Sequence, residues 1–248
     1  ILEITLNRPR KYNALTKQVA NELLVAFEMA ATDDAIRCVL LTGAGKGFCS
    51  GQDLSEAQKR PVGFDFAGNL EATYNQVVRV MQNLPKPIVG AINGAAAGAG
   101  FGLALATDIR YLSDQAKFIP AFVGIGLGPD TGVSYWLPRL IGPARAAAIL
   151  FANKRIGAEE AVAMGLANEV FPHDSHLAEA RQFAQQLAAG ATLAIGLTKQ
   201  VLGQSLVSSF DEQLTHEAQN QQIVGHSADY REGTTAFREK RKPIFQGK

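Results

Sequence analysis

Two segments rich in small residues, residues 48–54 (FCSGQDL) and 93–100 (NGAAAGAG), lie about 45 residues apart, and each follows a short apolar strand pattern and opens a helical one. That recurrence dictates the same local geometry twice: strand, tight glycine turn, helix start. A helix start leaves backbone N–H groups without acceptors, so two starts that converge can hold one developing oxyanion. Gly98, Ala99, Gly100 and Gly102 leave almost no side chain at the second start, where an ordinary buried helix would carry Leu or Ile. Such a surface lets another group approach the backbone. Close helix-to-strand packing explains either segment taken singly; the pair points to an anion hole.

Strand and helix signals alternate through the first half, the pattern of right-handed β-α-β crossovers in an α/β fold. Strands are expected at residues 1–6, 36–42, 88–92, 109–112 and 117–118, with helices through about Ala31, at 71–84 and at 100–106. Residues 55–68, containing Pro61, Gly63 and Gly68, read as irregular and mobile. Residues 124–132 (GIGLGPDTG) form a loop in which Asp130 is placed to cap the helix carrying Trp136. From Arg145 onward strand signals almost vanish. Helices near 143–151, 157–164, 176–189, 192–205, 209–224 and 228–239 form an appendage with no sheet of its own, suited to packing on the core or on neighbouring subunits. The expected division is therefore a core over 1–142 and a helical region over 143–248.

A chain of 248 residues, 47% of them apolar, accommodates such a core with a smaller appendage. The net charge of +1 and the absence of long like-charge runs before the tail give no nucleic-acid footprint over the bulk of the surface. No stretch reaches the roughly 18 uninterrupted apolar residues of a membrane span. The sequence opens in the alternating ILEITL pattern with no charged-then-apolar leader, and its two cysteines, Cys38 and Cys49, make no disulfide framework. A soluble cytoplasmic protein whose first residues precede the numbering is the expectation. Several motifs fail on inspection. Lys46 is followed by Gly47 rather than the Ser or Thr of a phosphate loop, Ser50 lacks the flanking glycines of a nucleophile elbow, and the alternate glycines at 98, 100 and 102 are not dinucleotide spacing. His173 and His176 follow Pro172 with no third ligand in reach, which predicts surface histidines and no metal site.

Asn7-Arg8-Pro9 with Asn13-Ala14-Leu15, residues 48–54, residues 93–100, and Asp229-Tyr230-Arg231-Glu232-Gly233 together resemble the crotonase superfamily, the enoyl-CoA hydratase/isomerase group, over essentially the whole chain. The resemblance implies a repeated ββα core, a helical C-terminal part that forms a homotrimer or a dimer of trimers, and an acyl-CoA substrate. Coenzyme A then enters as part of the substrate, with no separate cofactor. By position, the N–H groups of Gln52 and Ala99 would polarise the thioester carbonyl, and Asp53 and Leu54 would border the CoA. Lys11 would sit near its phosphates, and Phe237 and Lys240 would reach the CoA of a neighbouring subunit. Without the resemblance, the basic tail around Lys240 reads as a solvated helix end.

Departures from the family pattern carry the chemistry. Hydratases of the family hold water with two glutamates, and this chain has Gly102 and Phe122 at those positions. Asp130 stands where isomerases and dehalogenases of the family place a working aspartate. A dehalogenase would need a histidine where Asn75 stands, and a dienoyl-CoA isomerase a glutamate where Phe122 stands. The resemblance thus implies an isomerase with Asp130 as its acid/base in a substrate pocket lined by Phe122 and Asn75, closest in pattern to ring-epoxide isomerisation in phenylacetate catabolism, with a 3-enoyl to 2-enoyl shift open to the same parts. A hydratase, or an RNA-binding member using the basic tail, are the alternatives.

Overall fold

The computed structural model describes residues 1–57 and 61–248. Strands β1 (Leu2–Leu6), β2 (Val39–Gly43), β3 (Gly47–Cys49), β4 (Ile88–Ile92), β5 (Ala95–Ala97), β6 (Ile109–Ser113), β7 (Lys117–Ile119), β8 (Ile156–Gly157) and β9 (Glu169–Phe171) build two sheets. The larger is parallel, in the order β1-β2-β4-β6-β9; the smaller runs β3-β5-β7-β8, with β8 antiparallel. Consecutive segments thus alternate between sheets: β2 and β3, β4 and β5, β6 and β7 each leave one sheet and enter the other. This is the expected ββα repeat.

Helix α1 (Lys17–Thr32) starts where the Thr16 hydroxyl accepts from the Val19 N–H, and Ala20, Leu23, Phe27 and Ala30 form its buried face. Short helices α2 (Leu54–Ala57) and α3 (Phe66–Ala72) occupy the two ends of the segment expected to be irregular; residues 58–60 lie outside the described residues. Asp65 caps α3 by accepting from Gly68 N–H, so the glycine that argued against a helix serves its first turn. Helix α4 (Tyr74–Asn83) follows after a break at Thr73, and α5 (Ala99–Leu105) packs on β3 and β5 with every residue buried. Helix α6 (Val133–Ile141) carries Trp136, and α7 (Pro143–Phe151), α8 (Ala158–Ala163), α9 (His176–Ala189), α10 (Thr192–Gln204), α11 (Phe210–Gly225) and α12 (Ala228–Glu239) each lie within a residue of an expected helix. Past residue 145, where strand signals almost vanish, β8 and β9 still form, each joining one edge of one of the two core sheets. They are two and three residues long, too short to show a period.

Alternation along β2 separates two cores. Val39 and Leu41 enter the main one, while Cys38 and Leu40 face a second, where Val89 and Ala91 of β4 meet Ala180 and Ala184 of α9. Burial pushes both thiols, Cys38 and Cys49, up to about 12. Asn13 and Asn93 brace the 43–47 turn: Asn13 Nδ2 donates to Ala44 and Gly47 carbonyls, and Asn93 Nδ2 to Gly45. No helix of the described residues is long and apolar enough to cross a membrane.

Candidate active site

β3 and β5 pair in parallel, Gly47 opposite Ala95, and so deliver the two glycine turns side by side. Gly51 has φ +84°, and a Cβ there would lie 2.6 Å from the Ala97 carbonyl oxygen and 3.3 Å from the Ala99 nitrogen. Gly100 is tighter still: a Cβ would stand 2.1 Å from the Cys49 carbonyl oxygen. Leu15 flanks the first turn, its N–H donating to Gly51 O at 2.7 Å and its carbonyl accepting from Asp53 N–H at 2.9 Å. Between these bonds the Gln52 N–H has no acceptor among the described residues, nor has the Ala99 N–H.

Gly102 lies three residues along α5 from Ala99, about 4.5 Å of helix rise. A Cβ at Gly102 would be 2.4 Å from the Thr131 carbonyl oxygen, so the 130–132 turn sits directly on this glycine. Buried Thr131 (φ +49°) and Gly132 (φ +78°) are both left-handed, and a Cβ at Gly132 would strike the Trp136 ring. A β-branched residue in that conformation stores strain on the order of 1–3 kcal/mol, tolerated where surroundings impose it. The Thr131 hydroxyl donates to the Asp130 carboxylate at 2.8 Å. Burial raises the Asp130 pKa above the usual carboxylate range, and this hydrogen bond partly offsets it.

Helix capping by Asp130 is corrected. Gly132 is the residue before α6, and no side chain caps that helix; Asp130 contributes only its carbonyl, which accepts from Val133 N–H. Two left-handed residues separate the carboxylate from the helix start. Phe122, 4% exposed, places a ring carbon 3.9 Å from where a Gly98 Cβ would be, beside Ala99. A small apolar cavity lined by Leu15, Leu23, Tyr74, Val77, Leu103 and Thr131 adjoins the turn. Larger cavities lie elsewhere, among α10–α12 and between α10 and Trp136.

Lys11 is exposed at the end of a short turn whose carbonyl accepts from the Ser50 hydroxyl at 3.3 Å, next to the first glycine turn. Leu54 is exposed at the start of α2. The Asp53 carboxylate is engaged by the Ser55 hydroxyl and by Arg8 at 2.8 Å, which hold its pKa down to about 2. This pair, 45 residues apart, leaves no signature in sequence spacing. Asn75 donates to Glu71, which also pairs with Arg79, on the exposed face of α4; no hydrogen bond brings it to Asp130. Phe237 and Lys240 are exposed at the end of α12, and no hydrogen bond links them to either glycine turn. Asp229 instead holds the tail, accepting from the Gln246 and Gly247 N–H groups.

The expectation of surface histidines is corrected at His176. It is 4% exposed, with Nδ1 against the His173 carbonyl at 2.8 Å, while His173 Nδ1 meets the Ser113 hydroxyl at 2.9 Å. β9 ends at Phe171 opposite Ser113 of β6, so the turn that follows it brings His173 to the Ser113 hydroxyl, and His176 opens α9. No group of three acidic, histidine or cysteine residues able to hold a metal occurs among the described residues.

The family model for enoyl-CoA hydratase/isomerase matches residues 1–248. The chain belongs to that family. Among curated members of the enoyl-CoA hydratase/isomerase family it is 41% identical to the 1,2-epoxyphenylacetyl-CoA isomerase of Escherichia coli K12, over 100% of this chain and 95% of that protein. It is also 41% identical to a "probable enoyl-CoA hydratase" of Rhodobacter capsulatus, over 99% and 94%. The solved enoyl-CoA hydratase of Bacillus anthracis superposes with a TM-score of 0.95 at 32% identity, over 99% of this chain and 95% of that one. This chain is an enzyme of the enoyl-CoA hydratase/isomerase family with the crotonase fold. Equal identity to an isomerase and to a relative named as a probable hydratase leaves the reaction to the site residues.

Proposed function

We propose that this enzyme isomerises CoA esters, converting 1,2-epoxyphenylacetyl-CoA to oxepin-CoA, 3-enoyl-CoA to 2-enoyl-CoA, or both, with Asp130 as its single acid/base. The observation that carries the reading is the contact of Gly102 with Thr131 O. The position where a hydratase of the family would hold water with a glutamate has no room for a side chain while the Asp130 turn is seated on it. Phe122 occupies the other.

In this mechanism the free N–H groups of Gln52 and Ala99 receive the thioester oxygen and stabilise the enolate formed when the carbon beside the carbonyl is deprotonated. Asp130 takes that proton. For a 3-enoyl ester the electron pair passes into the thioester, then returns through C2 to C4 as Asp130 delivers the proton to C4, so that proton count and charge balance. A carboxylate whose pKa is raised by burial is better matched to both halves of this transfer. Lys11 and the backbone at Asp53 and Leu54 would border the CoA, with the Arg8–Asp53 pair holding that segment in place. Phe237 and Lys240 would act on a neighbouring subunit of a trimer or dimer of trimers. No metal or redox cofactor enters the scheme.

A panel of CoA esters decides the reading: the ring epoxide, 3-enoyl and 2-enoyl chains. Isomerisation of the epoxide or the 3-enoyl ester, with hydration of the 2-enoyl ester at least about 100-fold slower, is expected. Hydration at a comparable rate would favour the hydratase alternative and require another residue to position water.

A further inference from the structure

We propose that Asn153 is a positioning residue: it holds the loop that carries Phe122 against the second glycine turn, and so sets the selectivity between ring and linear acyl groups. The selectivity half rests on the acyl-CoA isomerase reading; the holding half does not.

β8 pairs antiparallel with β7, Lys117 opposite Gly157 and Phe118 opposite Ile156. Continued past the last paired residues, the same register sets Asn153 opposite Ala121. The side chain completes what the strands begin: Asn153 Oδ1 accepts from Ala121 N–H at 2.8 Å. Its Nδ2 packs on Gly124, where a Cβ would approach it to 2.6 Å. Asn153 therefore touches both ends of the turn that contains Phe122.

Backbone conformation gives the contact a purpose. Ala121 has φ +59° and Asn153 φ +49°, left-handed conformations that an alanine adopts at a cost. Asparagine enters this region more readily than most residues, which suits it to the second position. With Ala121 tied, the Phe122 carbonyl accepts from both Ile125 and Leu127 N–H groups at 3.0 Å, which closes the loop on itself. The Phe122 ring is left beside Gly98, one residue before the Ala99 amide. Without the Asn153 anchor, Ala121 loses the bond that offsets its strained conformation, and Phe122 loses its fixed distance from the acyl group. A planar ring and a linear chain make different use of that aromatic wall.

The test uses the assembled enzyme and two substitutions. Asn153→Gly removes the anchor yet suits the left-handed backbone, and Asn153→Asp keeps the acceptor. Amide exchange at Ala121 should quicken by roughly 10-fold or more in the Gly variant, with the melting temperature nearly unchanged, and return toward the parent value in the Asp variant. The ratio of kcat/KM for the ring epoxide to that for the 3-enoyl ester should change by roughly 10-fold in the Gly variant and be restored by Asp. Unchanged exchange at Ala121 overturns the anchor. Faster exchange with the substrate ratio within about twofold of the parent overturns the selectivity role. If the parent enzyme isomerises neither ester, the isomerase reading fails, while Ala121 exchange still decides whether Asn153 holds the loop.

Discussion

The turn at Gly98–Gly102 and the turn at Asp130–Gly132 touch through Gly102 and Thr131, yet they are built on opposite principles. The first offers backbone: small Gly98, Ala99, Gly100 and Gly102 around a Phe101 turned into the core, a free N–H and no polar side chain. The second offers one carboxylate, held by a hydroxyl and by two left-handed residues. In the proposed mechanism polarisation belongs to the first and proton transfer to the second. A backbone donor is preserved through most substitutions and lost only when packing changes; a carboxylate is lost by replacing a single atom.

The largest expected effect attacks the second turn. Asp130→Asn keeps the size and removes the base, and since Asp130 caps no helix its folding cost should be small. Turnover of the preferred ester should fall by about 100-fold or more with acyl-CoA affinity largely kept, measured by steady-state kinetics beside equilibrium binding. Near-normal turnover would remove the proton carrier and the isomerase assignment with it.

Next comes the contact itself. Gly102→Glu restores the residue type a hydratase would carry but drives a side chain into Thr131 O. The melting curve should report a loss of about 1–3 kcal/mol, and hydration of a 2-enoyl ester should not appear. A stable variant that hydrates would mean the two turns can separate.

Thr131→Val tests how the carboxylate is tuned. Burial holds the Asp130 pKa up and the Thr131 hydroxyl holds it partly down. Removing the donor should raise it further, so the basic form is reached only at higher pH. The rising limb of kcat/KM against pH should therefore move upward, and Thr131→Ser should return it; a limb that stays put would detach Thr131 from catalysis.

The smallest effect lies outside both turns. Phe237→Ala with Lys240→Ala should weaken CoA-ester binding a few-fold, about 0.5–1.5 kcal/mol in total, with assembly intact by light scattering. Point substitutions are preferable to truncation, because the residues beyond also meet Asp229 and Arg37, the latter donating to Phe245 O at 3.0 Å. Unchanged affinity would confine the tail to a structural role.

How legible all this is in the sequence depends on the range of the interaction. Helices such as α9, with a steady apolar period, stand at the expected positions, and the glycine turns are visible because small residues following a strand are rare without a cause. Helix α3 was hidden because Gly68 reads as a breaker, although Asp65 three residues earlier is its cap. β8 and β9 were hidden by length. Contacts between distant residues, Arg8 with Asp53 and Asn153 with Ala121, have no local period at all, and Asp130 reads equally as a cap or a base until the two left-handed residues behind it are seen.

The two buried thiols turn the layered architecture into an internal reporter. Cys38 flanks the large sheet against α9, and Cys49 ends a strand of the small sheet beneath Gly100. With both pushed to about 12, neither reacts with an alkylating reagent while its layer stays shut. Labelling rates for each cysteine therefore time the opening of its own sheet. Two different rates would mean the layers part separately, and one shared rate would mean they open as a single cooperative unit.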